Sequence, residues 1–539
     1  MLMIMSTIPL LMSLFMMKEN MFILMKIPLS NIYSMLIPID IMFDWMSMMF
    51  LGTVMLVSSL IIMYSLYYIP NMEYKQFLLL LLMFVLSMSI LILSNNLFLI
   101  LLGWDGLGLS SYILVIYYQN FPSAASGTIT LLSNRIGDIM ILLSSGLLTI
   151  SSNWNFNMNS EYSLMIMMLL ILAACSKSAQ YPFSAWLPMA MAAPTPISAL
   201  VHSSTLVTAG VFLMLRISTY LHPNTMFLLI IISSMTAMYS SMSANWEQDM
   251  KKIIALSTLS QIAMMMFAIS LNSLILAFMH LIIHAMFKSA MFLCAGIMIH
   301  ESSYQDTRMM GINFSNLPLT LSMLGINSMA LMGIPFMSGF FSKDMIIENL
   351  IIMKTNMFLY MLMIMSIGMT ASYTMRMSFQ TNKSYIKINP IQSNHISINA
   401  VIPITMLSLM AISSGSWLTW IVSPEQMFLI SIKYKIFIIL CLTTGLMLGF
   451  MLQFKNKKFI KMGMSSISLW FNHLTSTTPI IPMYHPMQMF HNIDKQWQEK
   501  YGPNQSYNLL YMANTLPEMS KSSMLFSLML MSLIPLFMF

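Results

Sequence analysis

Runs of roughly twenty apolar residues, each long enough to cross a ~30 Å hydrocarbon core as a helix, follow one another along almost the whole chain. The pattern predicts fifteen spans, near residues 1–17, 42–67, 75–95, 97–118, 126–150, 162–189, 194–220, 225–244, 251–271, 273–299, 317–352, 357–379, 398–421, 433–453 and 522–539. Inside lipid the backbone must satisfy its own hydrogen bonds, so the expected fold class is an all-α polytopic membrane protein. Two spans read as broken: the sixth runs through Pro182 and Pro188 towards Pro194 and Pro196, and the eleventh meets Gly333, Pro335 and Gly339. Proline removes a helix hydrogen bond, and the freed carbonyls need other partners. Breaks at corresponding places in two halves point to a transport site, and these fall in the fourth span of each of two five-span units.

The organisation expected is N-terminal helices over 1–74, one five-helix repeat over 75–220, a second over 225–379, further helices over 398–453 and a final helix over 522–539. Residues 486–521 differ, being polar and interrupted by Gly502, Pro503 and Pro517. There Phe490, Ile493, Trp497 and Tyr501, then Leu509, Met512, Ala513 and Leu516, recur at helical spacing, which predicts a lateral amphipathic helix lying along a surface.

Composition agrees, with 58% hydrophobic and only 8% charged residues. The net charge of +7 does not point to nucleic acid, because the bases stand singly between apolar runs rather than in one basic domain. They bear on orientation instead. If the spans alternate, the even-numbered connections carry eleven bases (Lys75, Lys251, Lys252, Arg308, Arg376, Lys383, Lys387, Lys455, Lys457, Lys458, Lys461) against six on the odd side (Lys18, Lys26, Arg216, Lys354, Lys433, Lys435). The excess places the even side, and the N-terminus, in the compartment of synthesis. Cys175, Cys294 and Cys441 sit in apolar segments without a CxxC pair, as packing residues do. Sixty-nine methionines spread along the chain suit a generic apolar filler, and fit a mitochondrial genetic code that reads an isoleucine codon as methionine. Residues 1–17 lack the Arg/Ser-rich character of a transit peptide.

An ionisable side chain at bilayer depth costs at least ~2.5–3.5 kcal/mol on insertion scales, so each one here is a candidate for function. Asp105 lies mid-span and needs an inter-helix partner, for which Lys177 is the nearest candidate in sequence. Arg135 and Asp138 stand at i and i+3, close enough to pair. His280, His284 and Lys288 fall at i, i+4 and i+8 on one helix stripe, as a proton relay requires; two histidines without a third ligand make zinc the weaker reading. His202 follows the first break beside Ser203, Ser204 and Thr205, which can orient its ring or hold water. Lys343 and Asp344 follow the second break.

These residues lie in LLGWDGLGLSSYILV, LLSNRIGDIMILL, SKSAQYPFSAWLPMAMAAPTPISALVHSSTLVTAGVFL, HLIIHAMFKSAMFLCAGIMIH and GIPFMSGFFSKDMIIE. In this order the stretches resemble the antiporter-like subunits of respiratory complex I, with closest similarity over about residues 40–350. The resemblance implies two inverted five-helix repeats, a lateral helix along neighbouring subunits, and proton translocation coupled to electron transfer elsewhere. It places the family's acidic residue on Asp105, its channel lysines on Lys177 and Lys288, and its exit pair on Lys343 and Asp344. It also implies the mitochondrial inner membrane, other membrane-arm subunits and lipids, cardiolipin among them, as partners. No cofactor is expected in this chain, since GxGxxG, P-loop and cysteine clusters are all missing, so flavin and iron–sulfur clusters are expected in partner subunits. Two departures stand out. The family commonly has glutamate where Asp105 stands, and it usually has one more span before DWMSMMF. A stand-alone cation/proton antiporter and a non-conducting structural clamp are the alternative readings.

Overall fold

The computed structural model describes residues 2–32, 35–70, 72–148, 163–220, 222–310, 317–352, 357–382, 397–422, 432–452, 463–464, 480–498, 500, 502–515 and 527–531. The chain divides into two compact units, Met1–Trp470 and Phe471–Phe539. Among the described residues twelve helices are long and apolar enough to cross a membrane.

The first unit begins with α1 (Leu2–Glu19), a two-stranded antiparallel hairpin of β1 (Ile23–Ile32) and β2 (Met35–Phe43), and α2 (Trp45–Tyr68). The hairpin was not expected. Lys26 stands opposite Asp40 in its register, which suits a polar connection between spans. Helices α3 (Tyr74–Leu93), α4 (Leu97–Val115), α5 (Phe121–Leu148) and α6 (Leu164–Lys177) follow, each packed on the one before. The chain then breaks into short pieces, including α7 (Trp186–Met189) and α8 (Thr195–Ile197), a π-helical stretch (Ser198–Thr205) and α9 (Leu206–Ile217). The second run comprises α10 (Pro223–Ala244), α11 (Met250–Ser270), α12 (Leu274–Ser302), α13 (Pro318–Met332), α14 (Ser338–Ile352) and α15 (Met357–Thr381). Helices α16 (Ile398–Val422) and α17 (Ile432–Met451) pack on α12 and α15 respectively.

Both breaks lie where the prolines put them, and they divide spans that the apolar pattern alone reads as single. The sixth predicted span keeps a long helix only over Leu164–Lys177, and the eleventh becomes α13 and α14, joined at Gly333 with φ +83°. A positive φ is nearly free for glycine alone. Gly339, in the first turn of α14, is constrained by space instead, because a Cβ there would lie 1.9 Å from the carbonyl oxygen of Ala330. Small residues at such crossings let backbones meet without a driving force from water. Within the Thr195–Ile217 segment, α11 and α12 an 18-residue stretch is wholly buried, so His202, His280, His284 and Lys288, which they carry, face protein on every side.

One ion pair pins the start of α2 to the end of α9. Asp44 caps α2 through a reciprocal box with Ser47, and Arg216 reaches both its carboxylate oxygens, with Nη2 2.9 Å from Oδ1. Burial pushes the Asp44 carboxyl upward, but the Arg216 charge and its hydrogen bonds outweigh this and bring it below the ordinary carboxylate range.

In the second unit the segment expected to be lateral is described in pieces. It comprises α18 (Ile480–His491), a π-helical stretch (Asn492–Gln498) and α19 (Pro503–Thr515), starting at Ile480 rather than at 486. Phe490, Ile493, Trp497, Leu509 and Met512 are exposed within this unit, whereas Tyr501 and Leu516 lie outside the described residues. Apart from 527–531, so does the expected final span.

Two outcomes follow from the packing. Asp44→Asn leaves Arg216 without its counter-ion and should lower stability by about 3 kcal/mol, read as the thermal midpoint in detergent. A depressed carboxyl stabilises above its unfolded pKa and loses that contribution as pH falls through the folded one, so the difference from wild type should shrink in acid; a difference independent of pH would sink the assignment. Gly339→Ala should destabilise by about 1–3 kcal/mol through overpacking against Ala330, and a midpoint equal to wild type would contradict the contact.

Candidate functional site

Helix α6 ends on Lys177, fully buried. A cation suits the negative end of the helix dipole. Its Nζ donates to the Trp104 carbonyl at 3.0 Å and stands 5.0 Å from the centre of the Trp104 ring. Asp105, the next residue on α4, turns elsewhere: its Oδ2 is 3.6 Å from Nη1 of Arg135, which is also 3.2 Å from Oδ2 of Asp138. The expected Arg135–Asp138 pair is therefore present, and Asp105 joins it. The expected pairing of Asp105 with Lys177 is not found among the described residues. Successive helical residues point ~100° apart, so Lys177 meets the Trp104 side of α4 while the short Asp105 side chain faces α5. Its Oδ1 is buried with no hydrogen-bond partner among the described residues.

Trp186 of α7 connects this cluster to the next. Its indole N–H donates to the Ser176 carbonyl at 3.0 Å, one residue before Lys177, and its ring meets His202 edge-on with centroids 6.3 Å apart. His202 sits in the π-helical stretch, fully buried, and neither ring nitrogen has a hydrogen-bond partner among the described residues. Ser203, Ser204 and Thr205 do not orient it. Their hydroxyls donate back to the carbonyls of Ala199 and Leu200 on their own turn. His202 is thus left with two nitrogens able to exchange protons. The π-helical stretch packs directly on α12.

On α12, His280, His284 and Lys288 are all fully buried, as their spacing predicts. Lys288 donates to the hydroxyl of Ser257 on α11. The His280 and His284 rings lie 6.4 Å apart, and both nitrogens of His284 lack partners among the described residues. His280 bridges two helices: Nδ1 is 2.8 Å from the Ser342 hydroxyl on α14, and Nε2 is 3.2 Å from Oε1 of Gln261 on α11. Ser342 directly precedes Lys343, so the relay on α12 meets the second break there.

Lys343, buried, donates to the Leu331 carbonyl, one of those freed where α13 ends. Asp344 is half-buried and faces a cavity of about 220 Å³ lined by Gly333, Pro335, Phe340, Ala371 and Thr443. One turn on, Glu348 lies 3.5 Å from Lys435 of α17. The two neighbours therefore face different surroundings, as their ~100° separation requires.

Sequence reasoning missed the residues that link the stripe to its neighbours: Ser257, Gln261 and Ser342. The signal for the first two was a serine and a glutamine four apart within an apolar run. It also placed Lys251, Arg376 and Lys435 in loops. Lys251 and Arg376 are buried, the first donating to the Ala193 carbonyl at 3.0 Å and the second to the Ala244 carbonyl at 3.0 Å.

Comparison with known proteins agrees with the geometry. Residues 94–371, spanning every group from Asp105 to Asp344, match the family described as NADH:quinone oxidoreductase/Mrp antiporter, TM, and residues 373–539 match NADH dehydrogenase subunit 5 C-terminus. The chain is 42% identical to NADH-ubiquinone oxidoreductase chain 5 of Aedes aegypti, over 89% of this chain and 86% of that one. It is 39% identical to the protein of the same name from Locusta migratoria, over 92% and 90%. In fold it is similar to a chain of the Mrp complex from Dietzia sp. DQ12-45-1b, with a TM-score of 0.68 at 20% identity, covering 98% of this chain and 58% of that chain.

Trp186→Phe removes the donor to the Ser176 carbonyl beside Lys177. The Ser176 carbonyl keeps the backbone N–H of Ala179 at 3.4 Å, so losing the indole bond alone should lower stability by about 1 kcal/mol, and an unshifted thermal midpoint would show that the indole bond carries no weight.

Proposed function

Since this chain belongs to the NADH-ubiquinone oxidoreductase chain 5 family, and is thus a multi-pass, proton-translocating subunit of the membrane arm of complex I, we propose that protons cross it along the buried line just described. The route runs from Lys177 through His202 to Lys288, His284 and His280, and on to Lys343 and Asp344. One observation carries this reading: three lysines at most 1% exposed, held by neutral oxygens, with histidines on the elements between them. A lysine bound to a neutral acceptor keeps N–H donors in either protonation state, so its proton can leave without dismantling the contact.

The first half holds the switch. Arg135 now stands between two carboxylates, and if Asp105 swung from Arg135 towards Lys177 it would favour the ammonium form there; its return would release the proton onward. We assign no redox cofactor to this chain. Electron transfer from NADH to ubiquinone, with its flavin and iron–sulfur clusters, belongs to partner subunits, and the chain assembles with other membrane subunits. We place it in the mitochondrial inner membrane. The exposed apolar side chains of α18 and α19 support a lateral contact with neighbouring subunits and with lipids, cardiolipin among them.

Lys177→Met and Lys343→Met in the assembled complex should each lower protons pumped per electron, while NADH oxidation continues in the partner subunits. Proton uptake into liposomes measured against NADH consumption tests this. An unchanged ratio in both variants would contradict the relay and leave the structural clamp. Cation-driven exchange by the purified chain alone would instead favour the antiporter reading.

A further inference from the structure

Four lysines are buried among the described residues: Lys177, Lys288, Lys343 and Lys251. The proposed route uses three. Lys251, 4% exposed, lies in the first turn of α11 directly beside Lys252, yet the two side chains diverge. Lys252 turns outward to Asp249, at 2.6 Å between partly exposed groups, which marks this end of α11 as the polar margin of the bundle. Lys251 turns inward and donates to the Ala193 carbonyl at 3.0 Å.

That acceptor matters. Ala193 precedes Pro194 at the end of the first break, just before α8 and the π-helical stretch that carries His202. Lys251 thus meets the first break as Lys343 meets the second, each amine on a carbonyl at a break. It also stands on the helix that serves the α12 relay. Ser257, which accepts from Lys288, lies six residues further on, about 9 Å along the axis, and Gln261, which contacts His280, follows one turn later. Helix α11 packs on the π-helical stretch as well.

We propose that Lys251 is a fourth proton-carrying lysine of the path, loading protons from the α11 margin into the junction between the two halves. The step is a proton transfer alone. The Lys251 ammonium gives its proton, through bridging water, to a ring nitrogen of His202 or to the Lys288 amine. The neutral amine stays on the Ala193 carbonyl until it takes a proton from the margin where Asp249, Lys252 and Glu247 lie.

This rests on the relay reading, and the test separates the two. Lys251→Arg keeps the charge and the bond to Ala193 but does not release its proton; Lys251→Gln removes the charge. Both are compared with Lys288→Met for assembly and for protons pumped per electron in liposomes. The expected result is an assembled Lys251→Arg complex whose proton yield falls to that of Lys288→Met. Wild-type yield in Lys251→Arg, with a lowered yield in Lys288→Met, overturns the role of Lys251 and leaves the relay standing. Wild-type yield in both overturns the relay as well. If neither Lys251 variant assembles, the residue is a structural clamp on Ala193 and the proposal fails.

Discussion

A lysine ammonium out of reach of water has to be held by something, and this bundle holds each buried lysine among the described residues with a neutral oxygen. Lys177 is on the Trp104 carbonyl, Lys251 on Ala193, Lys343 on Leu331, and Lys288 on the Ser257 hydroxyl. A carboxylate in each place would fix the positive charge, and a fully apolar pocket would expel it. A carbonyl or hydroxyl does neither. It offsets part of the desolvation and leaves the amine able to gain or lose a proton, the property a conducting group needs.

Such carbonyls are scarce in a helical membrane protein, because a regular helix consumes its own acceptors. The breaks supply two of the three used here, while Lys177 shares the Trp104 carbonyl within α4. Gly333 in the left-handed region ends α13 and frees the turn that Lys343 uses, while Ala193, just ahead of Pro194, offers the acceptor for Lys251. In the π-helical stretch Ser203, Ser204 and Thr205 bond back to their own turn, and both nitrogens of the His202 ring lack partners among the described residues. Irregular backbone therefore serves the chemistry by offering acceptors to amines.

Helix α12 joins the halves. It packs on the π-helical stretch, on α11 and on α14, and its single stripe of His280, His284 and Lys288 reaches elements from both sides. Proton routes through such an arrangement depend on small rotations of side chains rather than on large helix motions, because the enclosing helices are closely packed. Asp105 is the exception, being partly exposed and bound at 3.6 Å to an arginine that has a second carboxylate to hold. Its Oδ1 has no hydrogen-bond partner among the described residues, so it can change partner without breaking a second bond.

Much of this was legible in the residues. Apolar runs of bilayer length gave the helices, prolines and glycines gave both breaks, and the i, i+4, i+8 spacing put three titratable groups on one face, since helical periodicity is a local property of the chain. Register between helices is not local. That Asp105 turns to Arg135, that His280 reaches Ser342 and Gln261, and that Lys251 points inward while Lys252 points out are outcomes of how helices rotate about their axes when they pack. Only tertiary structure decided them, because neighbouring positions on a helix face directions ~100° apart and sequence alone does not say which direction meets protein and which meets lipid.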